Sequence, residues 1–375
     1  KNIGLRKLMC ARDADINHVW NMRKAGLSLL SGCKGRAKPV TGIEDAAVPV
    51  ENLPGFVQGL YDIFRPLGLD GSFYGHAASG LLHVRPVLDL HTAEGLKTFR
   101  QVAEEFSALT KKYQGSLAAE HGVGICRSEF MDEQIGPELL GLMRAIKGIV
   151  DPKGLMNPGK IFPDPRYRID TNLREAPGDD IPVPFTPVLA YAQRDESFLG
   201  NLEQCNGCGG CRKSVPTMCP TYVATGEDLM STRGRANTIR AVLEGRIDSN
   251  PDPLASAALY EALSSCLACK ACATECPSNV NLPLLKAELL HAGHKKHGIP
   301  LAARMISHVD ILGRLGSIAP SLANAFLKSM PARYALEALF GFAHERPLPA
   351  YAPQRFDTWF AARKKHAPGT RGRVI

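Results

Sequence analysis

Eight of the eleven cysteines in this 375-residue chain fall into two tight runs. The first is Cys205, Cys208, Cys211 and Cys219, followed by Pro220. The second is Cys266, Cys269, Cys272 and Cys276, followed by Pro277. The second run reads C-x2-C-x2-C-x3-C-P, a spacing that suits a [4Fe-4S] cubane. Three thiolates at two-residue gaps let one short loop wrap a cluster and ligate three of its irons. The fourth cysteine of such a run often ligates the other run's cluster, which ties the two segments together. The pattern predicts two [4Fe-4S] clusters and electrons moved one at a time.

Structural zinc is the competing reading. It uses pairs of thiolates in a tetrahedron, whereas each run here offers three close thiols and then Cys-Pro. Disulfides suit small secreted scaffolds, and this chain is long enough for a real core. The first run has seven residues between Cys211 and Cys219 instead of three. The insertion Arg212-Lys213-Ser214-Val215-Pro216 reads as a loop, so Cys219 departs most from the pattern. Cys10, Cys33 and Cys126 stand alone and are expected to be buried, inert thiols.

The net charge of +8 does not mark a nucleic-acid binder. Arg363, Lys364, Lys365, Arg371 and Arg373 supply five of those charges in the last fifteen residues, which read as a solvated basic linker. No helix-turn-helix, RNP or basic-region pattern occurs elsewhere. No apolar run is long enough for a membrane span. The polar start Lys1-Asn2-Ile3 is no signal peptide and has no initiator Met, which suggests a piece of a longer chain.

Residues 1–163 alternate between helical and strand patterns. Helices are expected over Asp15–Leu30, Leu53–Phe64 with Asn52 as N-cap, Thr92–Tyr113 and Leu139–Val150. Strands are expected over Ser72–Gly75, Leu81–Val87 and Ser116–Glu120, the first two joined by a hairpin-like Ala77-Ala78-Ser79-Gly80. The predicted fold class is α+β, an antiparallel sheet with helices on one face. Five prolines make 164–200 linker-like. The cysteine runs then lie among helices at Thr232–Leu243, Leu254–Leu263 and Leu282–His291. Residues 296–350 read as helical with breaks at Pro300, Pro320 and Pro331, and the tail from Pro353 as loop.

A second cluster of chemistry lies upstream. A hairpin would bring His76 and His83 together, and Glu120-His121-Gly122-Val123-Gly124 closes a later strand. Two imidazoles and a carboxylate, His76, His83 and Glu120, are a catalytic zinc set with a coordination position open to substrate. His121 beside them could act as general base. Spacing alone leaves a set of ordinary, satisfied histidines equally open.

Three motifs together are more specific. Gly75-His76-Ala77-Ala78-Ser79-Gly80-Leu81-Leu82-His83, Ala119-Glu120-His121-Gly122-Val123-Gly124 and Asn157-Pro158-Gly159-Lys160-Ile161-Phe162 resemble the C-terminal half of FAD-linked oxidases of D-2-hydroxy acids. That family includes D-lactate dehydrogenases, glycolate oxidase and D-2-hydroxyglutarate dehydrogenases. The resemblance covers residues 1–163, and the cysteine runs behind it resemble the family's large iron–sulfur flavoproteins. It implies that His76, His83 and Glu120 hold a divalent metal, usually zinc. It implies that His121 takes the hydroxyl proton as hydride passes to FAD, and that Arg23 and Lys38 bind the substrate carboxylate. Asn157 and Lys160 would lie along the flavin. Leu82 stands where the family often has Asn.

The resemblance also implies what the chain lacks: the N-terminal domain that mainly binds FAD, and the C-terminal CCG repeats. The expected organisation is a C-terminal oxidase (substrate and metal) domain over 1–163, a linker over 164–200, an α-helical ferredoxin domain over 201–295, and a helical extension with basic linker over 296–375. The expected partners are a small 2-hydroxy acid and an electron acceptor such as a quinone, a cytochrome or another redox protein. The expected location is the cytoplasm, with peripheral association at the inner face of the membrane allowed. One rival is a non-catalytic iron–sulfur electron-transfer subunit. Others are an oxidase of alcohols or ether lipids, which would not need Arg23 and Lys38, and a zinc-ribbon nucleic-acid protein.

Overall fold

The computed structural model describes residues 8–31, 35–174, 176–178, 180–191, 195–213, 218–247 and 250–363. Cys33, much of the Arg212–Pro216 insertion and the basic tail beyond Arg363 lie outside them. The chain divides into two units, residues 1–289 and 290–375.

The first unit opens with helix α1 (Asp13–Ser31) and two short strands, β1 (Lys38–Pro39) and β2 (Asp45–Ala47). Helix α2 (Leu53–Phe64), strands β3 (Gly71–His76) and β4 (Leu81–Leu88), and helices α3 (Ala93–Lys112), α4 (Met131–Ile135) and α5 (Pro137–Val150) follow. The sheet is antiparallel throughout, with β4 pairing β1, β2 and β3. The α+β expectation holds, and so does the β3–β4 hairpin. Gly80 closes that hairpin at φ 67°, and a side chain there would collide with the Val48 carbonyl.

Amphipathic α2 and α3 cover the sheet. Phe56, Leu60 and Phe64 of α2 meet Phe99, Val102 and Phe106 of α3, all essentially buried. Thr92 caps α3, its hydroxyl accepting from the Gly95 amide at 3.0 Å. Asn52 does not cap α2, contrary to expectation. The turn Val50–Asn52 runs straight into the helix, and the Asn52 amide instead donates to the Tyr113 carbonyl. Ser116–Glu120 is not a strand either. Only Ser116 pairs, with Ala47, because the chain then turns to dock on Asp45. On α1, Val19 and Trp20 remain exposed rather than forming a buried face.

Among its described residues the proline-rich stretch has no regular element before Phe198, yet it is packed. Ile169 is buried in the first core and Ile181 in a second. That second core is helical: α6 (Phe198–Glu203), α7 (Pro220–Thr225), α8 (Thr232–Leu243), α9 (Ala257–Ser264), α10 (Ala271–Glu275) and α11 (Leu282–His297). Phe198, Leu202, Ile239, Leu259, Leu263 and Leu285 enclose Cys205, Cys211, Cys219 and Cys272. Ser231 and Ser256 cap α8 and α9 by accepting from the Gly234 and Leu259 amides.

In the second unit, α12 (Leu301–Ser307), α13 (Val309–Gly316), α14 (Pro320–Lys328) and α15 (Met330–Phe340) respect the predicted proline breaks. The tail is not all loop: α16 spans Phe356–Ala362. No described helix is long and apolar enough to cross a membrane. Cys10 and Cys126 are half-buried rather than buried, because each lies on a surface loop.

Candidate functional site

The β3–β4 register sets His76 opposite Leu81 and Tyr74 opposite His83. Cross-strand partners share a face, and residues two apart on a strand do too, so both histidines point to one side. Their ring centroids are 6.4 Å apart. Glu120 reaches that face from the loop after Ser116. Its Oε1 lies 2.9 Å from His83 Nε2 and its Oε2 3.6 Å from His76 Nε2. The His121 ring stacks on His83 at 5.0 Å and 11°. The hairpin and a loop some forty residues on thus meet at one carboxylate.

Asp45, which sequence reasoning missed, anchors that loop. It is fully buried, and its carboxylate accepts from the amides of Ala119 (3.0 Å), Glu120 (3.2 Å) and His121 (2.8 Å). Buried Arg127 braces the same turn, donating to the carbonyls of Gly122 at 2.8 Å and Gly42 at 3.3 Å. Glu44 was also missed. Its Oε1 is 3.4 Å from His121 Nδ1, and its Oε2 pairs with Arg85 Nη2 at 2.5 Å. The one available signal was an acidic pair, Glu44-Asp45, inside the apolar stretch Ile43–Val48. Asp45→Ala is expected to lower stability by about 1–3 kcal/mol, since three amides lose their acceptor. Urea unfolding checks this, and a midpoint matching the parent would remove Asp45 from this role.

Among the described residues, one donor set of this kind has all its ligand atoms within 4.8 Å of one another: Asp45, His83, Glu120 and His121. The predicted ligand His76 lies outside this set, its Nε2 3.6 Å from Glu120 Oε2, while His83 and Glu120 lie within it and offer donors of a kind a divalent ion takes. His83 is buried, its Nδ1 has no hydrogen-bond partner, and Glu120 Oε1 already sits at contact distance from its Nε2. Asp45 spends its oxygens on backbone amides, so it orients the set rather than completing it.

Tyr74 lies against His83 at 4.8 Å between ring centroids. Burial pushes its hydroxyl up, opposed by Arg85 and more weakly by Arg23. The Arg23 side chain is exposed and lies over the Trp20 ring, 5.6 Å from its centroid. Lys38 and Arg85 line a cavity of about 380 Å³ that also takes in Arg174, Glu203 and Cys208. Asn157 and Lys160 form an exposed turn, Lys160 Nζ donating to Asn157 Oδ1 at 3.4 Å. The next amide, Ile161, donates to the Gly124 carbonyl at 3.0 Å and fastens this turn to the Glu120 loop.

The cysteines form two cavities, and each mixes the runs. Cys205, Cys208 and Cys211 share one with Cys276. Cys266, Cys269 and Cys272 share the other with Cys219. Burial pushes the thiols of Cys205, Cys219 and Cys276 up, and that of Cys272 up to about 12. Left to themselves these sulfurs would stay protonated, whereas bound metal holds a coordinating thiol deprotonated. Each cavity thus gathers four thiols, three from one run and one from the other, the number a [4Fe-4S] centre takes. Amides already point at the sulfurs: Thr232 N lies 3.1 Å from Cys219 Sγ and Arg233 N 3.3 Å from Cys211 Sγ.

Comparison with known proteins agrees with both halves. Residues 1–161 match the family described as FAD linked oxidases, C-terminal domain, and residues 201–280 match a 4Fe-4S dicluster domain. The D-2-hydroxyglutarate dehydrogenase of Escherichia coli is 31% identical over 358 residues, 85% of this chain and 34% of its own. That of Haemophilus influenzae is 32% identical over 340 residues, 81% of this chain and 32% of its own. The glycolate oxidase subunit GlcD of Bacillus subtilis is 30% identical over 148 residues, 39% of this chain and 31% of its own. The chain spans about a third of the length of these relatives.

Proposed function

We propose that this chain, a FAD linked oxidase C-terminal domain followed by a 4Fe-4S dicluster domain, is the substrate site and electron relay of a dehydrogenase of D-2-hydroxy acids. The substrate would be D-2-hydroxyglutarate, D-lactate or glycolate, and the product the 2-oxo acid. Residues 1–163 would bind substrate and metal, 164–200 connect, 201–295 carry the clusters and 296–375 extend the fold. The observation that carries this reading is the meeting of His76, His83, Glu120 and His121 at one face, since an electron carrier alone has no use for it.

In this reading His76, His83 and Glu120 hold a divalent ion, of which zinc suits the donor set. When bound, the ion would lower the pKa of the substrate hydroxyl, FAD would accept hydride, and two [4Fe-4S] clusters would carry electrons singly. Glu44, 3.4 Å from His121 Nδ1, would favour the proton on that nitrogen and leave Nε2, 3.6 Å from Glu120 Oε1, to take the hydroxyl proton. Arg23 and Lys38 bring positive charge for the substrate carboxylate, and the guanidinium of Arg23 can grip it with two parallel bonds. The four buried thiols and their partners hold the clusters. The electron acceptor would be a quinone, a cytochrome or another redox protein.

The test uses the flavin-loaded holoenzyme. Chelation is expected to abolish bleaching of the flavin by a D-2-hydroxy acid, and zinc or manganese to restore it. Dithionite should still reduce the clusters throughout. Undiminished bleaching in a metal-free preparation would sink the metal assignment. Equal oxidation of an alcohol without a carboxylate would sink the substrate class.

A further inference from the structure

Helix α8 enters the second core between the two cysteine cavities, and Thr232 at its start lines both. One turn in stands Arg235, the largest fully buried side chain in the described protein, only 2% exposed. Four of its five N–H groups are placed: Nε on the Ala262 carbonyl at 2.9 Å, Nη1 on the Met230 carbonyl, and Nη2 on the hydroxyls of Thr221 (2.8 Å) and Ser265 (3.0 Å). Every one of these acceptors is neutral. Two other arginines meet carboxylates. Arg233 pairs with Asp228 at 3.0 Å, and in the first core Arg100 is held between Glu129 and Asp170. Among the described residues, no carboxylate forms an ion pair with Arg235.

Arginine keeps its charge in proteins. A buried cation is strongly disfavoured unless an opposite charge meets it. Hydrogen bonds to neutral oxygens take up four of the five guanidinium N–H groups of Arg235 but bring no opposite charge to it. Arg235 lines the cavity that also takes in Cys219, Cys266, Cys269 and Cys272. Arg235 is absent from the wall of the other cavity. An iron–sulfur centre on four thiolates is net anionic, and gains another negative charge on reduction. Net charge around a cluster is among the terms that set its potential.

We propose that Arg235 is the built-in counter-cation of the second iron–sulfur centre and selectively favours its reduced state. The assignment rests on the iron–sulfur part of the proposed function. A merely structural Arg235 would brace α8 against α9 through the same hydrogen bonds, so the decisive readout is the potential.

The full chain, reconstituted anaerobically with iron and sulfide, is titrated electrochemically while the EPR signals of its centres are followed. Cys269→Ser identifies the second centre. Arg235→Met is expected to weaken reduction of that centre at least tenfold, about 59 mV for a one-electron couple. The first centre should not move. Arg235→Lys keeps the charge and should shift the second potential far less. Unmoved potentials in R235M, or equal shifts in R235M and R235K, overturn the proposal. Should R235M fail to keep its second centre, iron content of R235K decides. Retention supports the role of the charge, and loss overturns it. A parent chain without a second centre would overturn the iron–sulfur reading itself.

Discussion

His121→Ala in the holoenzyme is expected to slow flavin reduction by a D-2-hydroxy acid about 10²- to 10⁴-fold, the usual contribution of a positioned general base. The reason lies in how the imidazole is held. It stacks on His83 at 5.0 Å, its Nδ1 faces Glu44 at 3.4 Å, and its backbone amide is pinned by Asp45 at 2.8 Å. These contacts orient the ring so that Nε2 lies on the Glu120 side, 3.6 Å from Oε1. Stopped-flow absorbance of the flavin reads the step apart from later electron transfer. An unchanged reduction rate would remove His121 as the base. Glu44→Gln separates orientation from proton transfer. It should slow the same step less, because the amide oxygen can still accept from Nδ1–H while the stabilising negative charge is gone.

Cys276→Ala is expected to destroy the cluster held by the other run. Cys276 lines the cavity of Cys205, Cys208 and Cys211, and Cys219 that of Cys266, Cys269 and Cys272. If ligation follows these cavities, each run closes the other's centre, and removing Cys276 should leave the Cys219 centre intact. Iron content should fall to about half of the parent's, as expected for one of two four-iron centres lost. The surviving EPR signal should respond to Cys269→Ser and not to Cys208→Ser. The reverse response would show that each run ligates its own cluster. Cross-ligation also carries a structural consequence. Residues 205–211 and 266–276 are far apart in sequence, so each centre would staple α6 and α8 to the segment around α10, and loss of one should loosen this core.

Much of this was legible from residue order. The helix over Leu53–Phe64, with Pro54 in its first turn, and that over Thr232–Leu243 have the predicted bounds. Asn52 shows the limit. A residue type that favours a cap could not reveal that the preceding turn already supplies the helix entry. Ser116–Glu120 failed as a strand for a related reason. Its backbone groups bond to the Asp45 carboxylate rather than to a ladder, and a long-range partner leaves no local periodicity.

The sequence by itself determined the kinds of chemistry present: eight thiols at cluster spacing, and histidines with a glutamate at the ends of predicted strands. Spacing carries that information because a single loop or hairpin supplies three of the cysteines, or two of the histidines. The tertiary structure decided which groups meet. It brought Glu120 to His83, set the unpredicted Asp45 and Glu44 behind the loop, and buried Arg235 at the cavity of Cys219, Cys266, Cys269 and Cys272. Those contacts join segments tens of residues apart, and burial and packing select them where local propensity has no influence.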